Sequence, residues 1–87
     1  MQLEILTPQQ KVFSGEAKLV KVPGSKGSFE IMKNHAAIIS TLTDGELKVE
    51  TESGETLNYK TNGGVVEVKN DHVAILVESI AEAGKSK

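Results

Sequence analysis

Turn-forming residues recur about every eight to twelve positions along this chain, and this spacing is the feature that most constrains its fold. Prolines, Asx–Gly pairs and a Gly–Gly pair separate short segments in which apolar and polar residues alternate. Alternation with a period of about two places apolar side chains on one face of a strand. No segment of ordinary helix length shows the helical period. The sequence therefore predicts an all-β fold, a small two-sheet β-sandwich of roughly eight to ten short strands with little or no helix.

The same alternation predicts the core and the chain organisation. In the strand at residues 38–42 we expect Ile38, Ser40 and Leu42 on one face and Ile39 on the other, so apolar residues occupy both faces. The pattern fades after Glu78, which predicts one domain over residues 1–82 and a flexible tail over residues 83–87, with at most one helical turn near residue 80. The predicted inward residues of the other strands are Leu3, Ile5, Val20, Val22, Leu47, Val49, Leu57, Tyr59, Val66, Val68, Val73, Ile75 and Val77.

Turns are predicted between these strands, among them Ser53-Gly54 and Asn62-Gly63-Gly64, and three further predictions bear on the strand connections. Asp44-Gly45 is typical of a tight hairpin, because both residue types tolerate positive φ. Asn70-Asp71 predicts a second turn, and Ser14-Gly15 predicts a kink or bulge in a long strand.

Composition excludes several classes of function. The 87 residues carry a net charge of −2 with both signs interspersed, so no basic stripe for nucleic acid exists. Cysteine is absent, which removes disulfides and thiolate chemistry and fits a reducing compartment. No apolar run approaches the roughly 20 residues that span a bilayer, and no targeting segment is recognisable at the start of the chain.

Candidate chemistry is sparse. His35 and His72 are far apart in sequence and have no neighbouring histidine at metal-ligand spacing, so we expect no metal site and no cofactor. The segment GSKGS at residues 24–28 lacks the Gly-Lys-Ser/Thr ending of a phosphate loop. The segment EIMK at residues 30–33 is similar to the modified segment of biotinyl and lipoyl carrier domains, so a carrier modified at Lys33 stays open as the alternative. A small metal- or sugar-binding β module also stays open, because fold does not fix function.

Several ordered motifs resemble one family, the N-terminal β-sandwich domain of the epsilon subunit of the rotary ATP synthase. The start, LEILTP with FSG, the loop VPGSKGSF, the segment His35-Ala36 before two isoleucines, and the strand GGVVEV are all similar to the family pattern. The resemblance covers residues 2 to about 82. The chain departs from the pattern at Glu30, where a glycine is usual, and at Ala37, where a proline is usual. Relatives often continue into a C-terminal helical hairpin, and this chain resembles the short form without it.

The resemblance implies a non-catalytic rotor subunit of a proton-translocating ATP synthase, which links the gamma subunit to the membrane c ring and couples rotation to ATP synthesis. It further implies a peripheral position on the cytoplasmic face of a bacterial inner membrane, no nucleic-acid partner, and a monomer when isolated. The implied gamma interface comprises His35, Ile38, Ile39, Ser40, Thr41 and Leu42. The implied loop facing the c ring comprises Gly24, Ser25, Lys26, Gly27, Ser28, Phe29 and Glu30.

Overall fold

Nine strands and no helix make up the regular structure of residues 1–86, which are the residues that the computed structural model describes; for residues 84–86 only the backbone is described. The all-β class and the strand number predicted from the sequence are confirmed. The strands are β1 (Gln2–Leu6), β2 (Lys11–Val22), β3 (Phe29–Met32), β4 (Ile38–Leu42), β5 (Gly45–Thr51), β6 (Thr56–Thr61), β7 (Gly64–Lys69), β8 (His72–Leu76) and β9 (Ile80–Ser86).

The strands form two layers that share β2. The first sheet has the order β4-β7-β8-β1-β2, and the second has the order β3-β2-β5-β6-β9. The N-terminal part of β2 pairs with β1, whereas its C-terminal part pairs with β5 and β3. The register of β2 against β5 shifts between Ala17 and Leu19. The sequence placed this irregularity earlier, at Ser14-Gly15, but both of those residues pair regularly with β1.

The core lies between the layers and contains the side chains that the alternation predicted. Leu3, Ile5 and Ile75 are fully buried in the first sheet, and Val49 is fully buried in the second. Branched side chains suit this position, because they pack well on a pleated surface. The other predicted inward residues, Val20, Val22, Leu47, Leu57, Tyr59, Val66, Val68, Val73 and Val77, are also buried.

Of the predicted hairpin turns, the one at Asn70-Asp71 is confirmed and the one at Asp44-Gly45 is wrong. Asn70 and Asp71 have φ values of 52° and 61° and connect the antiparallel strands β7 and β8, so this hairpin is confirmed. The hairpin at Asp44-Gly45 is wrong. Here the chain crosses from β4 in the first sheet to β5 in the second, and neither residue has positive φ. The physical reason is that β4 pairs with β7 rather than with the strand that follows it.

Two segments have more strand than the sequence predicted. Residues 29–32 form β3 on the edge of the second sheet, within a segment that the sequence presented as a loop. Residues 80–86 pair with β6 as β9, in place of a helical turn. The backbone of residues 83–86 therefore continues a strand where we predicted a tail. The flexibility of this segment and the domain end at residue 82 stay predictions, and Lys87 lies outside the described residues.

Candidate interaction surface

The loop at residues 23–28 is fastened to the edge strand β4. The Ser25 amide donates to the Thr41 carbonyl at 3.0 Å, and the Thr43 amide donates to the Pro23 carbonyl at 2.8 Å. The Thr41 hydroxyl also donates to the Ser25 hydroxyl at 2.8 Å. The two residue sets predicted for gamma and for the c ring therefore meet at the C-terminal end of β4.

Gly24 makes this close approach possible. It forms an isolated bridge with Leu42. A Cβ atom on Gly24 would lie 2.7 Å from the Gly27 carbonyl oxygen and 2.8 Å from the Phe29 ring, which is closer than real Cβ atoms come. The Gly27 amide donates to the Gly24 carbonyl at 2.9 Å, and Gly27 itself has a φ of 128°. The Pro-Gly-x-x-Gly pattern thus encodes one tight turn.

The strand pleat divides the predicted residues of β4 between two faces, as the alternation indicated. Ile39 and Thr41 point outward, and Ile39 is 70% exposed. Leu42 is only 6% exposed and belongs to the core. Ile38 and Ser40 share the inward face with Leu42, although Ile38 is 37% exposed because it lies on the sheet edge. Only the outward pair therefore offers its side chains fully to a partner.

His35 lies at the other end of β4 from the loop. Its amide donates to the Met32 carbonyl at 3.1 Å, and its Nδ1 is 2.8 Å from the Ala36 carbonyl oxygen. The preceding Asn34 has a φ of 66°, and its amide donates to the Asp71 carboxylate at 3.0 Å. The five residues of β4 span roughly 17 Å at strand geometry, so the predicted sites form a strip along this edge and not one compact cluster.

The outer face of the first sheet carries an apolar surface that sequence reasoning missed. Leu6, Leu76 and Val65 occupy adjacent register positions on β1, β8 and β7, next to Thr41 on β4. Leu76 is 46% exposed, and a concave depression of about 420 Å³ is lined by Leu6, Pro8, Val65 and Leu76 among others. We call Leu6, Val65, Leu76 and Ile39 the outer apolar surface.

A signal for this surface was present in the sequence. Leu6 follows Ile5, Val65 precedes Val66, and Leu76 follows Ile75, so each lies one residue out of phase with the core positions. An apolar residue out of phase belongs to the opposite face of its strand. The three had to be brought together by the strand order, which the sequence pattern does not specify.

Charged groups border the outer apolar surface. Glu4 on β1 lies between Lys11 on β2, at 3.2 Å, and His72 on β8, at 3.7 Å. The hydrogen bond from Lys11 and its positive charge lower the pKa of the Glu4 carboxyl, and His72 contributes in the same direction. This cluster gives the apolar surface a polar rim.

The described part of the chain does not show the geometry expected for the two alternative functions, a carrier domain modified at Lys33 and a metal-binding module. Lys33 is exposed, but it lies in the connection from β3 to β4, which belong to different sheets. A carrier lysine lies at the tip of a hairpin, so this placement does not match. Within residues 1–86 no group of three or more His, Asp or Glu side chains is arranged to hold a metal ion. No helix in this range is long and apolar enough to cross a bilayer.

Comparison with known proteins assigns the fold to a family. The family model described as "ATP synthase, Delta/Epsilon chain, beta-sandwich domain" matches residues 1–83. The chain belongs to this family. The resemblance inferred from the sequence motifs is thereby confirmed for nearly the whole chain.

Curated members of the delta/epsilon family are similar to the chain throughout its length. ATP synthase epsilon chain 1 of Methylococcus capsulatus is 37% identical over 83 residues, covering 95% of this chain and 59% of the relative. The ATP synthase epsilon chain of Sulfurimonas denitrificans is 38% identical over 88 residues, covering 100% of this chain and 68% of the relative. The chain thus spans about three fifths to two thirds of the length of these relatives.

Two solved structures share the delta/epsilon fold. A chain in the Euglena gracilis mitochondrial ATP synthase OSCP/F1/c-ring structure superposes with a TM-score of 0.82 at 20% identity, covering 92% of this chain and 51% of that chain. A chain in the Tetrahymena thermophila mitochondrial ATP synthase central stalk/c-ring structure gives a TM-score of 0.76 at 23% identity, covering 93% of this chain and 65% of that chain. At these identities the likeness establishes the fold.

Proposed function

We propose that this domain is a non-catalytic rotor component of a proton-translocating ATP synthase, which links the gamma subunit to the c ring and transmits rotation between them. Family membership supports this role, and the two similar folds are found in ATP synthase structures that include the c ring. In this role the domain is peripheral to the membrane, on the cytoplasmic face in a bacterium, and is attached through the complex. The isolated domain is a monomer.

The observation that carries the proposal is the outer apolar surface. A sheet in a sandwich normally presents polar residues to water on its outer face. Here Leu76 is 46% exposed beside the depression lined by Leu6 and Val65, and Ile39 is 70% exposed on the same face, directly opposite the exposed Glu67. Covering such a surface removes apolar area from water and so favours association. We assign this flank to gamma, together with the outward side chain of Thr41 and with His35 at the far end of β4.

The segment at residues 24–30, which comprises the loop and the first two residues of β3, is assigned to the c ring. Ser25, Lys26, Gly27, Ser28 and Glu30 are exposed, so the loop presents hydroxyl and charged groups and little apolar area. Such a surface suits the polar loops of a membrane ring. Because the loop is bonded to β4, the contact with the ring and the contact with gamma lie on one rigid unit.

Substitution on the flank tests the gamma assignment. Leu76→Asp or Ile39→Asp should lower the affinity for the cognate gamma chain by at least tenfold, because binding would bury an unpaired carboxylate. Ala81→Asp is the matched control, since Ala81 is exposed on β9 in the other sheet. Affinity is measured by calorimetry on variants whose native circular dichroism is verified. Equal affinity of the flank variants and the wild type would refute the assignment of this face.

Site-specific cross-linking tests the ring assignment. A photo-reactive residue at Ser28 should capture c subunits in the assembled rotor. The same probe at Ser53 should not, because the turn at residues 52–54 lies at the other end of β5 from the loop. Capture of c subunits from Ser53 alone would contradict the assignment, because it would show that the opposite end of the domain contacts the ring.

A further inference from the structure

The edge of β4 that faces away from β7 is only partly covered within residues 1–86. The Thr41 carbonyl and the Thr43 amide bond the loop through Ser25 and Pro23, so the backbone groups of these residues point away from β7. Backbone groups in an antiparallel strand alternate in direction from one residue to the next. The N–H and C=O of Ile39 therefore point to the same side as those of Thr41. Ile39 lies two residues before Thr41, where the loop begins to bond this edge. No residue in the described range pairs with them.

This edge also lacks the charges that usually protect exposed strands. Exposed edges are commonly protected by charged residues, proline or bulges, because an unpaired ladder recruits other strands. The other edge strands carry such charges, with Glu30 in β3, Glu82 in β9 and Lys11 in β2. The β4 sequence, IISTL, has neither charge nor proline, and Ile39 is the most exposed large apolar side chain of the described residues.

A groove runs beside the open edge. Its volume is about 660 Å³, and it lies between β4 and the loop at residues 24–29. Ile38, Ile39 and Phe29 provide apolar lining, and Lys26 is the one charged residue that lines it. The groove therefore offers space for a backbone and for one apolar side chain next to the unpaired groups of Ile39.

The length of the open edge decides what can occupy it. In a symmetric antiparallel pair of two β4 strands centred on Ile39, residue 41 of one copy would lie opposite residue 37 of the other. That position is already occupied, because Ser25 bonds Thr41 on the same edge. A second copy of this chain is thus obstructed after a single residue pair, whereas a short segment that ends at the loop is not.

We propose that one short extended segment of the partner chain completes this edge of the first sheet. On the proposed function, on which this inference rests, that chain is gamma. The segment enters along the groove, and its backbone exchanges hydrogen bonds with the N–H and C=O of Ile39. Strand addition of this kind takes its affinity from main-chain bonds and its specificity from neighbouring side-chain pockets. The segment carries an apolar residue that packs against Ile38 and Phe29.

Amide exchange with water in the complex tests the proposal directly. In the ¹⁵N-labelled domain bound to unlabelled cognate gamma, the Ile39 amide should exchange at least tenfold more slowly than in the free domain. The Ser40 amide, which points to β7 in both states, is the internal control and should change little. Formation of the complex with no slowing at Ile39 would overturn this inference and leave the proposed function intact.

Two substitutions at Ile39 separate the contribution of its backbone N–H to gamma binding from the contribution of its side chain. Ile39→Pro removes the N–H that points outward, a position where an edge strand tolerates proline. Ile39→Ala shortens the side chain and keeps the N–H. We expect Ile39→Pro to weaken gamma binding at least tenfold more than Ile39→Ala, with the Ser40 amide still protected in both. Equal effects of the two would contradict strand addition, and failure of the wild-type domain to bind gamma at all would overturn the proposed function together with this inference.

Discussion

Single residues in unusual backbone conformations determine how the turns of this domain connect. Asp71 is the clearest case, with a φ of 61° in the turn between β7 and β8. Its carboxylate accepts the Asn34 amide at 3.0 Å and lies 3.8 Å from the amino group of Met1. One turn residue therefore holds the segment before His35 in position. The sequence predicted the turn but not these contacts, because they join positions far apart in the chain.

Among the glycines of residues 1–83, Gly64 should be the least tolerant of substitution. It has a φ of 142°, and a Cβ atom there would overlap the Leu76 carbonyl oxygen and lie 2.8 Å from Val77 Cγ1. We expect Gly64→Ala to reduce the free energy of unfolding by about 3 kcal/mol, from strain and overlap together. Gly54→Ala is the control. Gly54 also has positive φ, at 97°, but no atom lies within 4 Å of its Cβ position, so the loss should be about 1 kcal/mol. Urea unfolding measures both, and equal losses would contradict the role of the overlap.

At the scale of elements, the sequence predicted strands better than their partners. The alternation identified most of the buried strand positions, because burial on one face is a local property of the pattern. It missed Ala17, Ile31, Thr51 and Thr61. It did not show that β4 pairs with β7, and so Asp44-Gly45 was assigned to a hairpin that does not exist. β3 was missed because its four residues, FEIM, follow a glycine-rich turn and are too few to establish a period. The outer apolar surface needed the strand order β7-β8-β1, which is a long-range property.

The cluster of charges across β8, β1 and β2 gives a prediction at this scale. The hydrogen bond and charge of Lys11 lower the pKa of Glu4 in the folded state. The lowered pKa means that this pairing stabilises the fold at pH values above the usual carboxyl range. That stabilisation is lost as the pH falls through the lowered pKa. Lys11→Met should raise the titration midpoint of Glu4 toward its ordinary value.

The titration midpoint of Glu4 is measured from the NMR chemical shift of its side-chain carboxyl carbon as a function of pH. Lys60→Met provides the control, since Lys60 is exposed on β6 in the other sheet and should leave the midpoint unchanged. An unchanged midpoint in the Lys11 variant would show that the pair at 3.2 Å does not persist in solution.

The whole molecule depends on one small core. The chain contains no cysteine, so packing between the two sheets supplies the stabilisation that disulfides give other domains of this size. Ile75 is fully buried on β8 in the middle of the first sheet. Ile75→Ala should therefore lower the free energy of unfolding by about 3 kcal/mol, and Ile75→Val by about 1 kcal/mol. Urea unfolding tests both, and a loss below 1 kcal/mol for the alanine variant would contradict the packing described.

The shared strand β2 has a mechanical consequence. Because one unbroken backbone runs through both layers, the layers are joined by covalent bonds along a strand as well as by apolar packing. Displacing one layer against the other would bend β2 where it passes between them, near the register shift at Ala17 and Leu19, in addition to disturbing the apolar packing. A load applied to one layer is therefore passed to the other along β2 as well as through the core, which suits the rotor role proposed above.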